Sequence, residues 1–117
     1  MSYNVLILRK EAKEQNTGLD FLERPESIPH FTDEQVEKLK KRLIAYGYQI
    51  ESEQKREISF NFKGGLHGIT VRLHENLLSF SSSFNKRGIF EICQTASEFV
   101  DSAFVKLDLQ DGTWEEN

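Results

Sequence analysis

The chain has 117 residues, enough for one hydrophobic core with little room for a second, so a single domain over 1–117 is expected. Its 38% hydrophobic and 29% charged residues are too apolar for a disordered chain and too polar for a membrane protein. Fifteen Lys and Arg against nineteen Asp and Glu give a net charge of -4 at pH 7, so no overall basic field draws nucleic acid or anionic lipid.

Tyr3 to Arg9 is short and rich in β-branched and large apolar residues, which predicts a buried strand. From 11 to 31 the periodicity is lost. Asn16-Thr17-Gly18, Pro25 and Pro29 are turn and breaker signals, so this stretch reads as a long loop with one turn of helix around Leu19 to Glu23. Loops of this length are often functional. Thr32-Asp33-Glu34-Gln35 then fits a capping box, with Phe31 and Val36 at the positions of a hydrophobic staple. The helix it starts places Val36, Leu39, Leu43 and Ile44 on one stripe, and Gly47 can take the left-handed conformation that ends it.

Tyr48, Ile50 and Ser52 alternate with polar neighbours, and after Glu53 to Arg56 a second strand puts Ile58, Phe60 and Phe62 on one face. Lys63-Gly64-Gly65-Leu66-His67-Gly68 is a loop, followed by Ile69, Val71 and Leu73, then Glu75-Asn76, then Leu78 and Phe80. A two-residue hairpin turn at Glu75-Asn76 sets Leu73 opposite Leu78 and Val71 opposite Phe80. Placing Phe62 beside Ile69 sets Phe60 beside Val71 and Ile58 beside Leu73, so three strands agree on one core side. Ile89, Ile92, Cys93, Ala96 and Val100 recur at helical spacing, which predicts a second helix from about Lys86 to Ser102. Phe104 to Leu109 is the last predicted strand, and Trp114 with Glu115 and Glu116 reads as a tail.

This order, β-α-β-β-β-β-α-β, predicts an α+β fold: a mostly antiparallel sheet of about six strands with two helices packed on one face. The opposite face is expected to be wet, and the first and last strands are candidates for neighbours in the middle of the sheet. One cysteine permits no internal disulfide, and the apolar run Val5 to Leu8 is far short of a signal peptide or a membrane span, which predicts a cytoplasmic protein.

The three histidines stand in no metal-ligand spacing, and no phosphate loop, nucleophile elbow or dinucleotide fingerprint is present, so neither a metal nor a cofactor is expected. Cys93 lies on the apolar stripe between Ile92 and Ala96, where a thiol packs as a small hydrophobe. His30, just ahead of a helix start, is assigned no role. Ser82, Ser83, Asn85, Lys86 and Arg87 are candidate anion ligands: hydroxyls, free amides and two cations at a helix start suit a phosphate or carboxylate. Plain helix capping explains the same residues. The polar face of the meander carries Glu57, His74 and Leu77 in one row, Ser59, Arg72 and Ser79 in a second, and Asn61, Thr70 and Ser81 in a third. Arg72, His74 and Ser79 are therefore candidate partner contacts, although a solvated sheet face has the same composition. Trp114 and Glu115, among acidic neighbours, are candidates for meeting a basic partner, the other reading being a solvated tail.

Met1-Ser2-Tyr3-Asn4-Val5-Leu6-Ile7-Leu8-Arg9, the serine-rich strand end Leu78 to Phe84 and the closing Asp108-Leu109-Gln110-Asp111-Gly112 resemble small uncharacterised bacterial α+β proteins, some of them associated with toxin immunity. Those proteins tend toward Asp-Pro-Gln where Asp108-Leu109-Gln110 stands here. The resemblance brings no catalytic residue and implies a binder. The expectation is a small, non-enzymatic cytoplasmic protein that binds a protein partner, as an immunity-type inhibitor covers a basic toxin surface. The alternative is a sensor or minor enzyme for a small anionic ligand at Ser81–Gly88. Oligomeric state is not legible.

Overall fold

The computed structural model describes residues 2–15 and 20–117. Seven strands form one antiparallel sheet: β1 (Ser2–Arg9), β2 (Tyr48–Gln54), β3 (Glu57–Phe62), β4 (Thr70–His74), β5 (Leu78–Ser83), β6 (Phe104–Asp108) and β7 (Thr113–Glu115), in the order β2-β3-β4-β5-β1-β6-β7. Among the described residues three α-helices accompany them: α1 (Lys10–Glu14), α2 (Asp33–Ala45) and α3 (Lys86–Glu98). The α+β class holds. As expected, β1 and β6 are neighbours inside the sheet, paired from Val5↔Asp108 to Arg9↔Phe104.

The meander has the register that its alternation dictates. Ile58 pairs with Leu73, Phe60 with Val71, Val71 with Phe80 and Leu73 with Leu78. All of these side chains join one core with Leu39 and Leu43 of α2 and Ile92 and Ala96 of α3. At the start of α2 the Thr32 hydroxyl accepts from the Gln35 amide at 3.1 Å, and the Gln35 side chain accepts from the Thr32 amide at 2.9 Å. Gly47 follows the helix at φ +97°, the left-handed conformation that costs a residue with a Cβ about 1 kcal/mol or more.

The differences lie at the chain's second face and at its end. The expected long loop is occupied by α1 and by 3-10 turns at Asp20–Glu23 and Pro25–Ser27; of the helical turn expected around Leu19 to Glu23, Leu19 and the Asn16-Thr17-Gly18 signal lie outside the described residues. The physical reason is that β1 is apolar on both faces and β6 on the face away from the helices. Val5 and Ile7 point to the helices, whereas Leu6 and Leu8 point away and meet Val105, Leu107, Ala12, Phe21 and Ile28 in a second cluster. A strand buried on both faces reads as a continuous apolar run and needs cover on both sides. The second face is thus wet only over β2 to β5. Helix α3 stops at Glu98, short of Ser102, because the Asp101 carboxylate accepts from the Ala103 and Phe104 amides and turns the chain into β6. Thr113–Glu115, read as tail, forms the edge strand β7, with Trp114 opposite Leu107.

Candidate functional site

Two hairpin ends and one helix start converge at the same end of the sheet. The β2–β3 hairpin turns through Lys55 and Arg56, with Gln54 opposite Glu57. The β4–β5 hairpin turns through Glu75 and Asn76, closed by the His74 amide donating to the Leu77 carbonyl at 2.9 Å. Because Glu57 pairs with His74, the two turns lie side by side. The segment entering α2 is fastened across them: the Phe31 amide donates to the Glu75 carbonyl at 2.8 Å, and Arg9 Nη1 donates to the His30 carbonyl at 2.9 Å.

Between these walls runs a groove of about 420 Å³. Its floor is apolar, made by Phe31, Val36, Ile58 and Leu73. Five acidic residues line it, Asp33 and Glu37 from α2, Glu53 and Glu57 from the β2–β3 hairpin and Glu75 from the neighbouring turn; Glu57 turns its carboxylate to the open sheet face, where it meets Arg72, which leaves four at the rim with Lys55 and Arg56. Three of the five have ion-pair partners: Glu53 with Lys40 at 3.0 Å, Glu75 with Arg56 at 3.4 Å and Glu57 with Arg72 at 3.6 Å. Asp33 and Glu37 have no ion pair within 4.0 Å among the described residues. Such a groove can shed water from an aliphatic stem while its rim accepts charge-assisted hydrogen bonds from an ammonium or guanidinium.

Of the expected partner contacts, Arg72, His74 and Ser79 come together. His74 lines the groove, while Arg72 and Ser79 pair across β4 and β5 on the open sheet face just beyond it. Trp114 and Glu115 do not join them. Trp114 is half-buried at the far side of the sheet, stacked on Phe21 with ring centroids 6.1 Å apart and an interplanar angle of 19°. Glu115 lies on the helix side, where it accepts from the Ser97 hydroxyl at 2.8 Å and pairs with Lys106 at 3.4 Å.

At the start of α3, Asn85 is the cap: its Oδ1 accepts from the Gly88 amide at 2.7 Å and its Nδ2 donates to the His67 carbonyl at 3.2 Å. Ser82 is fully buried and its hydroxyl donates to the Ser83 carbonyl at 2.8 Å. Ser83, Lys86 and Arg87 are exposed. These bonds are those of capping. Cys93 is half-buried against the core, and burial pushes its thiol up.

Sequence reasoning missed the groove. It used Phe31 and Val36 as a staple, gave His30 no part and took Glu53 to Arg56 only as a charged stretch between two strands, and those segments are more than a dozen residues apart. The available signal was the acidic residues flanking apolar ones at the α2 start and at both hairpin turns. Among the described residues no group of three or more His, Cys, Asp or Glu is arranged to hold a metal, and no helix is long and apolar enough to cross a membrane. Compared with family models, curated proteins and solved structures, the chain matches none.

Proposed function

We propose that the protein is a non-enzymatic cytoplasmic binding protein, of the immunity-inhibitor kind, whose acidic groove receives a basic segment of a protein partner. The observation that carries this reading is the juxtaposition of an apolar floor with four carboxylates, the segment entering α2 being held by hydrogen bonds to the β4–β5 turn and to Arg9 at the end of β1. Preformed walls spare the ordering cost that a mobile loop would add on association. Asp33 and Glu37, without an ion pair among the described residues, favour a cationic partner, and charge of one sign raises the encounter rate with the opposite sign.

The test is fluorescence anisotropy with a labelled ten-residue peptide alternating Lys and Leu. The expected result is saturable binding that weakens as NaCl rises from 50 to 300 mM, no binding of the corresponding Glu and Leu peptide, and weaker binding by Glu37→Lys. Equal affinity for the two peptides, or indifference to Glu37→Lys, overturns the reading.

A further inference from the structure

The open sheet face beside the groove has the opposite electrostatic character at one point. A depression of about 260 Å³ is lined by Ser2, Asn4, Thr70, Arg72, Ser79 and Ser81. Arg72 is the one charged residue among them. Its Nε faces Glu57 at 3.6 Å, a long contact between exposed groups, and its two Nη groups have no hydrogen-bond partner among the described residues. The hydroxyls of Thr70, Ser79 and Ser81 likewise make no hydrogen bond within the protein among the described residues, although all three residues are half-buried. Ser2 Oγ accepts from Asn4 Nδ2 at 3.1 Å, which leaves the Ser2 O–H free to donate. The strands hold these groups in fixed register, Thr70 opposite Ser81, Arg72 opposite Ser79 and Asn4 opposite Ser81.

We infer that this depression is a binding site for a small oxyanion, a carboxylate or phosphoryl group seated on the Arg72 guanidinium and ringed by hydroxyl donors. The chemistry follows from the donor count: a guanidinium offers a planar fork matched to two oxygens, and each hydroxyl can turn its hydrogen to the remaining lone pairs. Side chains this short let a ligand reach the guanidinium without a barrier of long neighbours. The Arg72 guanidinium repels a cation and no carboxylate lines the depression to offset it, so the surface is mismatched to a cation. The site stands independently of the groove, because it takes charge of the opposite sign on different residues.

The experiment is titration of ¹⁵N-labelled protein with sodium phosphate and, separately, sodium acetate, each against sodium chloride at equal ionic strength, followed by amide and Arg72 Nε shifts. Saturable shifts at Thr70, Arg72, Ser79 and Ser81 are expected, with the tighter anion identifying the phosphoryl or carboxylate class. Arg72→Gln, an exposed change whose folded state the same spectra report, weakens binding at least tenfold. Glu57→Gln removes the competing carboxylate and tightens it severalfold. Shifts indistinguishable from chloride, shifts centred elsewhere, or binding that survives Arg72→Gln would overturn the inference and leave the groove reading untouched.

Discussion

Replacing Asn85 with Ala separates a structural helix start from a ligand site at α3. Asn85 sits in extended backbone, φ -138° and ψ 150°, and its side chain makes three bonds: Oδ1 accepts from the Gly88 amide at 2.7 Å, and Nδ2 donates to the His67 carbonyl at 3.2 Å and, more weakly, to the Ser83 carbonyl at 3.4 Å. Loss of an N-cap of this type costs about 1 kcal/mol. Loss of the tie to the loop carbonyl adds about 1 kcal/mol more. The sum is therefore about 2 kcal/mol. A chain of this length has an unfolding entropy near 0.25 kcal/mol/K, on the order of 2 cal/mol/K per residue, so the midpoint should fall by about 8 °C. Thermal and urea unfolding followed by circular dichroism measure this directly. Asn85→Asp keeps the acceptor and adds a charge favoured at a helix N-terminus, so it should recover about half of the loss. Asn85→Ala within about 0.5 kcal/mol of the parent would refute the capping account, since that is below what any side-chain cap contributes.

A Cβ at Gly88 would lie 2.1 Å from Ser82 Oγ and 3.1 Å from both Asn85 Oδ1 and the His67 carbonyl oxygen, so Gly88→Ala should destabilise by about 1–3 kcal/mol of overpacking despite a helix-propensity gain of about 1 kcal/mol. Ser82→Ala in the same chain removes the nearest atom and should restore part of the loss, read as the urea midpoint. Trp114→Ala deletes a half-buried ring packed on Phe21 and should cost about 2 kcal/mol while leaving affinity for the basic peptide unchanged, a combination that only a packing role produces. Burial pushes the Tyr48 phenol well above its ordinary range, with the Glu91 charge adding to it. The folded state then holds a proton that the unfolded state releases, so the Tyr48 contribution to stability should be level up to about pH 10 and fall as pH rises beyond it, by at most about 1.4 kcal/mol per pH unit. Urea midpoints at pH 8, 10 and 11 check the sign, and Tyr48→Phe should remove the Tyr48 share of the slope while leaving that of Tyr3, whose phenol is likewise raised by its hydrogen bond to Asp108.

What was legible in the sequence was whatever is decided within a few residues or by a period of two. The capping box at Thr32 and Gln35 is a local code, and the β3–β4–β5 register follows from which side chains can share a face, since a slip of one residue would expose Phe60, Val71 and Phe80 together. The cover over Leu6 and Leu8 was not legible, because Ala12, Phe21 and Ile28 lie among breakers and have no period of their own. Trp114 looked like part of a tail since its ring partner, Phe21, is more than ninety residues away in the chain. The groove needed three segments brought together by a hydrogen bond from Phe31 to Glu75 that no spacing announces. Arg72, His74 and Ser79 were found because strand alternation placed them on one face, but periodicity gives no depth and so could not distinguish a groove from a flat surface.

Amide-shift mapping of the ¹⁵N-labelled protein with the Lys and Leu peptide measures most directly whether the concave end between α2 and the two hairpins is where a basic segment docks. Residues His30 to Glu37, Glu53 to Ile58 and Leu73 to Glu75 should move together and saturate at one concentration, with α3 and β7 still. Shifts gathered on α3 or around Trp114, or scattered without saturation, would contradict the account.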